Sequence, residues 1–125
     1  MVLSVNEQTF DQEVLGSPIP VLVNFWAPWC GLCHLIQPIL LEFEARYSDQ
    51  IKIVGINADA NFKLSNTYRL TTLPTLILIE GGKVRQRLDS FRGRDELQQA
   101  IEEIVVIYTE RTAYARVSVG SIKSI

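Results

Sequence analysis

A single α/β domain, with a mixed central β-sheet flanked by helices on both faces, is the fold class that this 125-residue sequence predicts. Three observations carry it. Two continuous apolar runs, VLVNFW (21–26) and IKIVGI (51–56), read as strands buried on both faces. Segments with apolar residues at helical spacing alternate with these runs. Later in the chain two strand-like runs flank Gly81–Gly82, a hairpin signal. Strands alternating with helices and followed by a hairpin imply parallel and antiparallel neighbours in one sheet.

The predicted order is β-α-β-α-β-α-β-β-α. VLSV (2–5) is a short apolar start that suits an edge strand. Asn6 is placed to cap a helix through EQTFDQEVL, with Phe10, Val14 and Leu15 at helical spacing. Gly16, Ser17, Pro18 and Pro20 end it. After the first buried strand, the segment 30–49 carries an apolar stripe of Leu35, Ile36, Ile39, Leu40 and Phe43. Pro38 lies inside this stripe and is expected to kink the helix, not end it, because the stripe continues beyond. FKLSNTYRL reads as a short amphipathic helix, TLILIE and KVRQRL as the hairpin strands. Asp95 and Glu96 open a last helix with Leu97, Ala100, Ile101 and Ile104 on one face. The domain is expected over residues 1–106. Residues 107–125 read as a loosely attached extension, in which the weak alternation of YARVSVGSI also admits an added strand.

Composition bounds the function. With 47% hydrophobic and 21% charged residues the chain is ordinarily globular, and a net charge of −2 argues against a nucleic-acid partner. The charge is uneven: residues 1–62 carry seven acids against Arg46 and Lys52, residues 63–125 ten bases against seven acids. Lys83, Arg85 and Arg87 alternate with Val84, Gln86 and Leu88, the pattern of a solvated strand face. No apolar run reaches the roughly 20 residues of a membrane span, and the first residues lack a signal-peptide pattern. The expected location is therefore the cytoplasm, where two cysteines indicate chemistry or metal more often than a structural staple.

Those two cysteines and the only histidine fall within FWAPWCGLCH (25–34). The spacing reads as a redox dithiol, or with His34 as a c-type haem attachment site. At a strand-to-helix junction, Cys30 falls in the first helical turn and Cys33 one turn later on the same face. Unpaired N–H groups and a positive macrodipole there favour a thiolate, which a nucleophilic cysteine needs.

VLVNFWAPWCGLC, followed by QPIL, TLPT and GGKV in that order, resembles the thioredoxin family over about residues 2–106. The resemblance implies the thioredoxin fold, with Cys30 as attacking and Cys33 as resolving thiol, and a cis peptide bond at Pro74. It implies that Trp29, Gly31, Leu32, Leu73 and Pro74 form the active-site turn and an apolar docking surface. TTLPT independently places a proline at the mouth of a strand, where a missing N–H costs least. Expected partners are proteins bearing disulfides and a thioredoxin reductase, flavin- or ferredoxin-dependent, with no bound cofactor and a monomeric chain. Haem fits poorly: it needs His34 as axial ligand, the only methionine is Met1, and the segment reads as a packed helix. Two cysteines and an adjacent histidine cannot close a four-ligand zinc site in one chain.

Three departures from the family pattern bear on activity. Leu32 stands where proline is usual, which is expected to ease reduction of the disulfide and make a poorer reductant. Asn24 stands where a buried aspartate is usual, and an amide cannot titrate. Gly55 replaces the lysine that often accompanies that aspartate. His34 reads as a partly exposed helix residue that can tune the thiols electrostatically. The family's glycine before the last helix aligns with Ser90 without a gap, or with Gly93 after a small one. The expected function is a slow or less reducing thiol–disulfide oxidoreductase. Its rivals are a redox-sensing, partner-binding module and an oxidant or isomerase outside the cytoplasm, which would need a leader.

Overall fold

Each central strand of the computed structural model sends its alternate side chains into two separate cores, one on each face of a five-stranded sheet. The structure describes the backbone of residues 2–123 and the side chains of residues 2–108. The strands are β1 (Leu3–Ser4), β2 (Val21–Trp26), β3 (Lys52–Asn57), β4 (Thr75–Glu80) and β5 (Lys83–Leu88). The helices are α1 (Gly31–Tyr47), α2 (Phe62–Thr67) and α3 (Arg94–Lys123). The sheet order is β1-β3-β2-β4-β5, with β1, β3 and β2 parallel and β4 and β5 antiparallel to their neighbours. The mixed sheet and the element order match the expectation from sequence.

On one face Leu22, Ile53, Leu76 and Leu78 meet Ile36 and Leu40 of α1 and Leu97 and Ile101 of α3. On the other, Val23, Phe25, Ile56 and Ile77 meet Phe10, Val14 and Leu64. Each such fully buried side chain contributes about 1.5–3 kcal/mol relative to leaving it in water. Two-sided burial is why β2, β3 and β4 read as unbroken apolar runs.

Several local expectations change. Asn6 Oδ1 accepts from the backbone N–H groups of Gln8 and Thr9, as a cap should. The helix that follows is a short π-helical turn, Asp11–Leu15, closed by a bond of 2.8 Å from Gly16 N–H to Asp11 O. This wider turn buries Phe10 and Val14 but leaves Leu15 exposed. In α1 the inward stripe is Cys33, Ile36, Ile39, Leu40 and Phe43, while Leu35 points outward. The helix continues through Pro38. In α3, Ala100 is only half-buried and Val105 joins the core. The backbone of 114–122, read as admitting a strand, is helical within α3. The expected loose attachment of 107–125 concerns side chains that lie mainly outside the described residues.

Gly81 and Gly82 both have positive φ, 59° and 78°, which a two-residue hairpin turn of the primed type requires. β5 closes the sheet as an edge strand with Lys83 to Arg87 exposed, Val84 and Gln86 included. Arg85 pairs with Glu80 at 3.4 Å, and Arg87 pairs with Asp89 at 2.9 Å. Arg87 also donates to the carbonyls of Tyr68 and Arg69. The basic run is therefore largely engaged by its own surroundings. Among the described residues no helix is long and apolar enough to cross a membrane.

Candidate active site

β2 ends at Trp26, and the turn 27–29 carries the chain to α1. Cys30 is the N-cap of α1, one residue before the position expected from sequence, with extended φ/ψ of −84° and 106°. Its Sγ accepts from the Cys33 N–H at 3.1 Å, so the sulfur itself caps the helix. Cys30 and Cys33 are joined as a disulfide with Cα atoms 5.3 Å apart, within the usual span for such a bond. Both are buried. When the bond is reduced, a thiolate at the N-cap lies against the positive helix end and its unpaired N–H groups. A thiolate, not a thiol, is the nucleophile of disulfide exchange.

The sheet brings the other expected residues to this end. Phe25 of β2 is register-paired with Thr75 of β4, so Pro74 sits where β2 delivers the dithiol. The Leu73–Pro74 peptide is cis. Thr75 Oγ1 donates to Thr72 O at 2.6 Å and holds the loop before β4. Leu32 and Leu73 are half-buried and pack on opposite cores. Trp29 is 70% exposed, and its indole N–H donates to Asp59 Oδ2 at 2.8 Å. An added Cβ at Gly31 meets nothing within 4 Å, so no steric demand holds glycine there.

His34 Nε2 lies 2.8 Å from Pro28 O. A carbonyl only accepts, so Nε2 carries the hydrogen. The ring ties the first turn of α1 back to the preceding loop, with the nitrogen an axial haem ligand would offer. Among the described residues no group of three or more His, Cys, Asp or Glu side chains is placed to hold a metal.

Asn24 and Gly55, singled out separately in the sequence, are register partners in β2 and β3. Asn24 is fully buried, and neither its Oδ1 nor its Nδ2 has a hydrogen-bond partner among the described residues. A Cβ at Gly55 would approach Trp26 Nε1 no closer than 3.4 Å, ordinary contact. Ser90 has a φ of 58°, in the left-handed region that favours glycine, whereas Gly93 does not have a positive φ. Of the two, Ser90 therefore has the backbone conformation that favours glycine.

A family model for thioredoxin matches residues 1–103. The chain belongs to the thioredoxin family. Thioredoxin 1 of Synechococcus elongatus is 46% identical over 90 residues, 72% of this chain and 81% of that protein. Thioredoxin 1 of a Nostoc species is 40% identical over 102 residues, 79% of this chain and 92% of that one. The chloroplastic M-type thioredoxin of Chlamydomonas reinhardtii is 36% identical over 100 residues, covering 80% and 71% respectively. As a thioredoxin-family protein with a C-x-x-C pair, this chain is a thiol–disulfide oxidoreductase of protein disulfides.

Sequence reasoning missed Asp59, which orients Trp29, and Phe62, which stands exposed beside it. Neither has a local signal: one lies 30 residues from its partner, and an aromatic at a helix start reads as core.

Proposed function

We propose that reduced Cys30 attacks one sulfur of a protein disulfide and Cys33 resolves the mixed disulfide. In the first step the Cys30 thiolate forms a new S–S bond and the other substrate sulfur leaves as a thiolate. In the second, the Cys33 thiolate attacks Cys30 Sγ, and the substrate's remaining sulfur leaves. Two electrons pass to the substrate, two protons satisfy its thiols, and Cys30–Cys33 becomes the disulfide. A thioredoxin reductase, flavin- or ferredoxin-dependent, returns the electrons. The carrying observation is Cys30 as N-cap of α1 with the Cys33 N–H on its sulfur. Trp29, Leu32, Leu73 and Pro74 form the docking surface around it.

The activity we infer is slower and less reducing than is usual in the family. Leu32 lacks the ring that restricts the turn, and the Asn24 amide cannot relay a proton to or from the second thiol. The unpartnered burial of Asn24 supports this assignment. It also sustains a second reading, a redox-sensing module that binds partners with little turnover. We take the protein to be a cytoplasmic monomer with its redox domain within 1–106 and an extension over 107–125.

Reductase-coupled reduction of a protein disulfide tests the scheme. Turnover is expected, abolished in Cys30→Ser, with a trapped mixed disulfide in Cys33→Ser. Binding of partners without turnover contradicts the enzyme reading and supports the module.

A further inference from the structure

At the sheet end that carries the dithiol, a groove of about 260 Å³ opens between the start of α2 and the loop before β4. Trp29, Phe62, Leu70 and Leu73 supply apolar lining, and Asp59 is its one charged residue. Among the described residues the two most exposed large apolar side chains are Phe62, at 72%, and Trp29, at 70%. Both line this groove. Neither packs in a core, so the hydrophobic effect leaves both with surface to bury.

The ring of Trp29 and the backbone that carries Phe62 are held in place. Trp29 is oriented by its bond to Asp59. Phe62 opens α2, and the preceding Asn61 is buried, its Oδ1 accepting from Glu7 N–H and its Nδ2 donating to Asn57 O. A wall fixed before binding loses little entropy when a ligand arrives. The groove is continuous with the reacting centre, because Trp29 precedes Cys30 and Leu73 precedes Pro74. A polypeptide whose disulfide reaches Cys30 has this groove within a few residues' reach. The Asp59 carboxylate makes the rim unfavourable to an acidic side chain and leaves apolar contact as the main attraction.

We propose that Phe62 is a specificity-determining residue for disulfide exchange. With Trp29 and Leu73 it receives one aromatic or large aliphatic side chain of the substrate polypeptide, within a few residues of the reacting cysteine. This rests on the dithiol scheme above and adds the class of substrate that the site prefers.

The test uses the full reduced chain with disulfide-linked peptides that differ only in carrying Phe, Ala or Glu near the cysteine. Bis(2-hydroxyethyl) disulfide, too small to span the groove, is the comparator. Wild type is expected to reduce the Phe peptide about fivefold faster, in kcat/KM, than the Ala peptide, and the Glu peptide slowest. Phe62→Ala should lower the Phe-peptide rate about fivefold relative to the comparator, and Phe62→Tyr should retain it. Equal rates on all three peptides, or a preference that survives Phe62→Ala, overturns the proposal while leaving the dithiol scheme standing. A concentration-dependent dimer dissolved by Phe62→Ala would put a second copy in the groove and overturn it too. Failure to reduce any disulfide removes the dithiol scheme, and the proposal with it.

Discussion

Asn24 is a fully buried amide with neither polar atom paired among the described residues, a situation that costs about 1–3 kcal/mol in a core. Asn24→Leu is therefore expected to raise unfolding stability by about 1 kcal/mol, read from urea denaturation. Asn24→Asp should do the opposite for stability and the reverse for chemistry. A carboxyl there is desolvated, its pKa is pushed upward, and it can exchange a proton near neutral pH. Turnover of a protein disulfide should rise about tenfold; an unchanged rate would mean that Asn24 is retained for shape alone. Two other residues carry backbone strain. Arg69 at φ 50° and Ser90 at φ 58° adopt the left-handed conformation that costs side-chain-bearing residues about 1–2 kcal/mol. Arg69 closes α2, with its N–H on Asn66 O and the Leu70 N–H on Ser65 O, a helix end that glycine usually occupies. Arg69→Gly and Ser90→Gly should each stabilise by about 1 kcal/mol, seen as a higher Tm. A lower Tm in either would show that the side chain contributes more than the strain removes.

At the scale of elements, the start of α1 is where redox character is set. Leu32 is the second residue of α1, where a backbone N–H has no intrahelical partner, so proline is sterically acceptable there. Leu32→Pro is expected to move the Cys30–Cys33 potential in the reducing direction, measured beside wild type in the same dithiol buffers. Equal potentials would remove Leu32 from the explanation. The packing of α2 makes a different prediction. Tyr68 closes that helix against the rings of Phe10 and Phe25, and its phenol pKa is raised, first by burial and second by the negative charge of Asp11. A raised native pKa means that the folded state holds the proton more tightly than the unfolded chain. The stability this contributes is complete below the unfolded value of about 10 and is lost as pH rises through the native value. Tyr68→Phe should flatten that alkaline loss in denaturation curves between about pH 9 and 11. An identical slope would assign the loss to other groups.

For the whole molecule, the sheet, its order of elements and the dithiol were legible because two-sided burial and a strand-to-helix junction leave local signatures. What was not legible depends on neighbours distant in sequence. Leu35 shares helical spacing with Ile36, and only the packing of α1 shows that it faces water. The pairing of Asn24 with Gly55 is a property of sheet register, and the bond from Trp29 to Asp59 joins two loops. Ser90 and Gly93 could be told apart only by a backbone angle. The helical course of α3 past residue 107 was hidden by a weak alternation that suited a strand equally well.

The central claim is that this thioredoxin-family chain uses Cys30 and Cys33 as a working but weakly reducing dithiol. Equilibrium redox titration of that pair in defined dithiol buffers tests it most directly. The account predicts one reversible two-electron transition with a midpoint above the about −270 mV of thioredoxin, towards roughly −200 mV. A midpoint at or below about −270 mV would contradict the weakened reductant. The absence of any reversible two-electron transition would contradict the dithiol itself.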